Sequence, residues 1–306
     1  STSSLASYDD PDHTGNKEFG VHTHLDTNGN VNSTFRSAEA PPSTVASRTD
    51  VFKAGREFPV PAVDFSGITT DLATIKTQAQ ASGRYFAASG SLGYLMVLKV
   101  NDTFDVYRVT SLVAKPNNCD SDGESGWGTW SVNNKTLLGN YAIPTNGLVF
   151  FEDNVWVEGT INTARMTIAA ATFPDNVNTR KNITINNDLL YTNKDGRDVV
   201  ALIAQNNVNV GMVSEDNLEI DAALVAQNGR IGRYYYEASC SVYENRDTIT
   251  LYGMLATSKR YGFAYTDGTG YANRIISYDT NLLYAPPPNF PLAADNYQII
   301  SWEELE

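Results

Sequence analysis

Long apolar runs are missing from this 306-residue chain: none approaches the ~18 to 20 residues needed to cross a bilayer. The chain starts at Ser1 without a Met, so an anchor or leader removed upstream would leave no trace in it. Histidine is scarce, and all three residues lie within the first 24 positions, which argues against histidine-based nucleophilic catalysis. No glycine-rich phosphate loop opens a helix, and there is no nucleotide fingerprint. Charge is sparse at 19% and unbalanced, 22 Lys and Arg against 35 Asp and Glu, for a net −13 and a pI near 4.6. Such a surface repels phosphate backbones and anionic lipid, which argues against nucleic acid and peripheral membrane as partners, while it attracts divalent cations. Cysteine is limited to Cys119 and Cys240, both in polar, loop-like contexts without a second Cys or a His nearby for zinc. In an exported protein the two can form one disulfide between an N-terminal excursion and a later part of the chain; two free thiols are the alternative.

What is present is β-prone. Hydrophobic residues make up 42%, and Asn, Thr, Ser, Gly and Tyr fill the polar surface, a profile that suits an extracellular protein. Ala201-Leu202-Ile203-Ala204-Gln205-Asn206-Asn207 returns as Ala223-Leu224-Val225-Ala226-Gln227-Asn228-Gly229. Each copy is a short apolar run closed by amides, followed by Val208-Asn209-Val210 or Arg230-Ile231-Gly232. A repeat of this length built from strands and turns, with no helical half, reads as one coil of a parallel β-solenoid. Stacked coils bury aliphatic side chains inside and place Asn or Gly at corners, where a positive φ or a side-chain ladder is needed. Two similar strands of an ordinary β-sandwich are the competing explanation.

Four segments follow from this. Residues 1–60 read as a polar lead-in and first strands, with alternation at Val21, Thr23 and Leu25 and a turn at Asn28-Gly29. His22 and His24 face one side of such a strand and could hold a metal with Asp26 or His13; no third convergent ligand is visible, and solvated histidines are the simpler account. Residues 61–146 form a helix-containing cap. Ile68, Leu72, Ile75 and Ala79 share a face between Ser66 and Gly83, with a Ser or Thr expected to cap the start and the helix expected to cover an open coil end. Tyr94 to Val100 and Phe104 to Leu112 form a hairpin around Asn101-Asp102. Residues 147–284 carry the coils, through Leu148–Phe151, Asn154–Gly159, Met166–Ala170, Ile183–Ile185, Leu189–Tyr191, Thr248–Leu251 and Met254–Ala256. Residues 285–306 open on Ala285-Pro286-Pro287-Pro288, whose prolines cannot feed a sheet ladder, and form a tail pinned by Trp302.

Three sets of side chains are candidates for a site. Asp120, Asp122 and Glu124 alternate around Gly123 in a loop and can turn several oxygens toward one hard cation, which makes Ca²⁺ the cofactor to consider; the distal bidentate Glu of a calcium hand is absent. Tyr234, Tyr235, Tyr236, Tyr261 and Tyr265 belong to a tyrosine-rich last third, and rings that alternate faces cannot all be core, so some are available to a glycan or a protein. Polysaccharide lyases and hydrolases need converging carboxylates, for which Asp195 with Asp198, Glu219 with Asp221 and Glu152 with Asp153 are the pairs to test. None stands out from the acidic background, and a solvated face or turn cap suits each. Trp127 and Trp130 read as packing residues.

Val149 to Leu305, with Asp198 to Val208, Leu218 to Gly229, and Tyr278-Asp279 through Leu283-Tyr284 and its proline run, resembles the large exported region of PilX-like, type IV pilus-associated bacterial proteins. The segment His24 to Asn32, the connector Phe58-Pro59-Val60-Pro61 and the helix after it are similar to that group as well. The resemblance supplies no catalytic motif to carry over. It implies a right-handed parallel β-helix outside the cell, normally preceded by an N-terminal prepilin-type membrane helix that the chain from Ser1 does not contain. The expectation is therefore an all-β, non-enzymatic, surface-exposed solenoid with one amphipathic helix and a hairpin packed on its N-terminal part. Its partners would be other pilus or surface subunits, itself, or a glycan or host-surface ligand. A carbohydrate-active enzyme and a glycan- or protein-binding module are the alternatives.

Overall fold

A computed structural model describes residues 6–8, 18–20, 65, 67–119, 123–259 and 261–291. The chain divides into two compact units, Ser1–Asp64 and Phe65–Glu306. In the first, β1 (Ala6–Tyr8) pairs antiparallel with β2 (Glu18–Gly20), where the sequence reads only as a polar lead-in. The expectations for His13, His22, His24, Asp26, the Asn28-Gly29 turn and Trp302 lie outside the described residues.

The second unit opens with α1 (Ile68–Ala81) and then forms one fifteen-stranded sheet. Its strands are β3 (Arg84–Phe86), β4 (Gly93–Lys99), β5 (Thr103–Leu112), β6 (Val132–Ala142), β7 (Leu148–Phe151), β8 (Val155–Ile161), β9 (Arg165–Ala170), β10 (Ile183–Thr184) and β11 (Leu189–Tyr191). They continue with β12 (Val199–Ala204), β13 (Val208–Val210), β14 (Asn217–Ala226), β15 (Ile231–Arg233), β16 (Asn245–Thr257) and β17 (Gly270–Tyr278).

From β7 onward the pairing is parallel. The repeat identified above pairs with itself in register, Ala201 on Ala223, Leu202 on Leu224, Ile203 on Val225 and Ala204 on Ala226. The column through Leu202 extends from Arg84 through Val149, Ile168, Leu202 and Leu224 to Leu255. A second column runs Tyr94, Val155, Ile183, Val208, Ile231, and a third Leu98, Gly159, Leu189, Ile220, Leu251, Ile276. β14 and β16 each serve both the first and the third columns. Gly253 lies within β16 at φ +152°, and a Cβ there would come within 1.9 Å of the Ala222 carbonyl oxygen, so this close approach of neighbouring strands requires glycine.

In the middle of the first column, through β7, β9, β12 and the second half of β14, the strands are buried on both faces, as expected of parallel strands with near-continuous aliphatic runs. Ile168, Leu202 and Leu224 point into the principal core, whereas Ala169, Ile203 and Val225 point away from it into a second cluster. That cluster is completed by Ile68, Leu72, Ile75 and Ala79 of α1. The sequence suggested a helix over the end of the strand stack, whereas the helix lies on its flank; its apolar stripe meets the outward apolar side chains of β7, β9, β12 and β14. Its start lacks the expected Ser or Thr cap. Gly67 occupies the N-cap position without a side-chain bond, and the anchor comes from the sheet, where Gln227 Nε2 donates to Thr69 Oγ1. Gln205, at the equivalent place in the other repeat copy, instead holds Thr172 by two 2.9 Å bonds.

Asparagines form the expected corner ladder. Asn154 Oδ1 accepts from the Asn182 backbone N–H at 2.9 Å, and Asn182 Oδ1 accepts from Asn206 Nδ2 at 3.0 Å. The hairpin is more integral than expected, because β4 pairs antiparallel with β5 and also parallel with β8, and β6 extends the sheet beyond β5.

Candidate functional site

The tyrosine-rich flank is built where the loop between β5 and β6 folds over the second column. Cys119 and Cys240 form a disulfide across a sequence separation of 121, joining that loop to the short 3₁₀ helix Ala238–Tyr243. Met212 N–H donates to the Thr129 carbonyl at 2.7 Å, and Trp156 Nε1 donates to the Trp130 carbonyl at 2.8 Å. Trp127 packs on Tyr236 and Trp130 on Trp156, which gives both loop tryptophans a packing role.

The five candidate tyrosines separate into two groups. Tyr234 and Tyr236 are buried, 1% and 0% exposed, and are interior side chains, a correction to their reading as surface contacts. The cause is alternation: Tyr234 and Tyr236 turn inward and Tyr235 turns outward. Arg230 lies 4.8 Å from the Tyr234 ring and Arg233 4.5 Å from the Tyr236 ring, and Tyr236 donates to the Gly128 carbonyl at 2.8 Å. Burial pushes the Tyr234 and Tyr236 phenols up and pulls Arg233 down to about 10, so all three keep their neutral-pH states. Tyr235, Tyr261 and Tyr265 are half-buried. Tyr235 donates to Asp267 Oδ2 at 2.8 Å and meets Tyr265 edge-on, with centroids 5.0 Å apart. Tyr265 donates to the Arg233 carbonyl at 2.8 Å, and Tyr261 packs against the principal core. The accessible part of the cluster is therefore Tyr235 with Tyr265 and Tyr261. Sequence reading overlooked Arg230 and Arg233, although they sit close to the tyrosine triplet.

Of the candidate cation ligands, Asp120 and Asp122 lie outside the described residues. Glu124 forms an ion pair with Arg230 and accepts from the Tyr235 backbone N–H at 2.8 Å. Among the described residues no group of three His, Cys, Asp or Glu side chains is arranged to hold a metal.

The carboxylate pairs are engaged locally. Asp198 is fully buried and accepts from the backbone N–H groups of Ala164 and Asn193, while Asp195 pairs with Arg197 at the surface. Glu152 bonds Lys76 and Tyr85, whereas Asp153 bonds Ser89 and Lys181. Glu219 and Asp221 do converge, on Lys194 Nζ at 2.6 and 2.8 Å. Burial raises the Asp221 pKa, and Lys194 partly offsets this.

The last strand is a different kind of surface. Ile276 is the rung after the buried Ile220 and Leu251, yet it is 44% exposed beside Ile275 at 53%. Among the described residues, β17 pairs with no strand other than β16, apart from one isolated bridge between Gly270 and Ala264. No described helix is long and apolar enough to cross a membrane. Compared with known proteins, the chain matches no family model, no curated protein and no solved structure.

Proposed function

We propose that the chain from Phe65 winds as a right-handed parallel β-helix and acts, without catalysis, as a cell-surface component of a pilus or filament, in adhesion or assembly. The observation that carries this reading is the unbroken register of the parallel columns, above all Ala201 to Ala204 upon Ala223 to Ala226. Each such layer buries its aliphatic side chains only against the next. Parallel crossovers are right-handed in nearly every known case, which supports that hand. The Cys119–Cys240 disulfide supports an oxidising destination outside the cytosol.

Assembly is supported by β17. An interior rung left at the surface, on a strand that among the described residues pairs with a neighbouring strand along one edge alone, is a template for another strand. Within Gly270–Tyr278, Arg274 is the sole charged residue, so the strand lacks the carboxylates that would keep copies of an acidic chain apart. Immunogold labelling of intact producing cells tests the function. Label on the exterior and along filaments is expected; label that appears only after permeabilisation would overturn the proposal.

A further inference from the structure

Lys194, Glu219 and Asp221 meet where the loop between β11 and β12 reaches β14. Glu219 and Asp221 are two residues apart in that strand and share a face. Lys194 Nζ donates to Glu219 Oε1 at 2.6 Å and lies 2.8 Å from Asp221 Oδ1. The Asp221 side chain is 0% exposed, whereas those of Lys194 and Glu219 are 40% and 41% exposed. The two oxygens of Asp221 are also unlike each other. Oδ2 accepts from the Tyr191 backbone N–H at 2.9 Å, while the buried Oδ1 accepts no hydrogen bond among the described residues, despite its short contact with the ammonium. A buried carboxylate oxygen left in that state is costly in a pair kept for stability alone. The Tyr252 ring packs 4.9 Å from Lys194 Nζ, and its hydroxyl donates to Asp279 Oδ1 at 2.9 Å, which fixes the ring against the lysine.

From this arrangement we propose that Lys194 and Asp221 join in an internal isopeptide bond, which the chain forms by itself with Glu219 as the proton carrier. Nζ attacks Asp221 Cγ and the Cγ–Oδ1 bond breaks. Oδ1 leaves as water with two of the three ammonium protons, and the third stays on the amide nitrogen. Glu219 takes a proton from Nζ, delivers it to Oδ1 and ends ionised as it began, so no electron changes hands and no co-reactant is needed. The Tyr191 N–H faces the oxygen that gathers negative charge in the tetrahedral intermediate and remains as the amide carbonyl. In water the two charged groups would not condense, because each must surrender its charge. Burial disfavours the Asp221 carboxylate. Burial also pulls Lys194 down, but its bonds to Asp221 and Glu219 outweigh this, so the amine passes a proton to Glu219 before it attacks. Contact held by the fold supplies the rest, since well-oriented neighbours react as if at about 10⁵–10⁸ M. The bond ties the loop after β11 to β14 by a link that reductant does not cut. It forms once and turns over no substrate, and the inference does not rest on the filament reading.

The test is intact-mass spectrometry of the full chain after reduction of the Cys119–Cys240 disulfide, followed over time from synthesis. The mass should fall short of the sequence by one water, and proteolysis should release a branched peptide that joins Lys194 to Asp221. Lys194→Arg keeps the charge but cannot make this amide, and should restore the full mass. Glu219→Gln should slow the loss of water about a hundredfold, as expected for removal of a positioned proton carrier. Both side chains are well exposed, so the variants should keep the parent's circular dichroism. A parent chain that stays at full sequence mass after prolonged incubation would overturn the proposal. So would loss of water unchanged in Lys194→Arg, which would trace it to another pair, or equal rates in the parent and Glu219→Gln.

Discussion

On one flank of the strand stack, Leu148, Phe150, Ala201, Ile203, Ala223 and Val225 lie beneath α1, and the contact is apolar side chain against apolar side chain. On the other, Trp156 and the strand after Val208 lie beneath a loop that contributes two tryptophans, backbone acceptors and half of a disulfide. The same need, to keep water from an outward strand face, is met in two ways. A helix satisfies its own backbone and can cover an apolar face with side chains alone. An irregular loop cannot do so, and its carbonyls must be matched one by one; Thr129, Trp130 and Gly128 receive Met212, Trp156 and Tyr236. The helical flank should therefore depend on packing volume and the loop flank on its cross-link.

The largest expected effect is on the loop flank. Replacing both cysteines, Cys119→Ser with Cys240→Ser, releases a loop closed over a sequence separation of 121 and should cost about 5 kcal/mol in the chain-entropy account. Urea unfolding of the double variant measures it, and the comparison breaks if the midpoint is unmoved. Next is Ile75→Ala in the helix, fully buried, with an expected loss of about 2–5 kcal/mol. Hydrogen exchange should then rise over the helix while the Gly123 to Ser131 segment stays protected. Gln227→Ala removes the bond to Thr69 and should cost about 1 kcal/mol, read as a small shift in the urea midpoint.

Alkaline pH sharpens the contrast at lower amplitude. Burial raises the phenols of Tyr234 and Tyr236, and that of Tyr271 to about 12. The fold favours the protonated phenol, so the stability these groups contribute is complete below a pH of about 10 and is lost as pH climbs from there through the folded values. Tyrosinate absorbance should thus rise late, together with exposure of the loop tryptophans. A simple titration near the ordinary phenol value would contradict the burial.

Much of this architecture was legible in the sequence because the signals were local or repeated. Ile68, Leu72, Ile75 and Ala79 announce a helix with one apolar face, and the two copies of the Ala-Leu-aliphatic-Ala-Gln-Asn run announce layers that pair in register. Which surface the helix covers was not legible, since amphipathicity says that a partner is needed without saying where. The clue lay in Val199-Val200-Ala201-Leu202-Ile203-Ala204, apolar at every position and hence buried on both faces, which calls for an outer cover as well as a core. Strand β6 escaped notice because Asn133, Asn134, Lys135 and Thr136 are polar throughout; an edge strand exposed on both faces carries no alternation to read. At the candidate site, Tyr235 and Tyr265 were found by composition alone. The burial of Tyr234 and Tyr236 depended on arginines and a loop distant in sequence, which composition does not reveal.

The central claim is that the aliphatic repeats lie one upon another in parallel, and methyl-labelled NMR tests it most directly. Leu202 should show nuclear Overhauser contacts to Ile168 on one side and to Leu224 on the other, with Leu224 in turn contacting Leu255. The absence of a Leu202 to Leu224 contact, with both methyls well resolved, would contradict the stacked register.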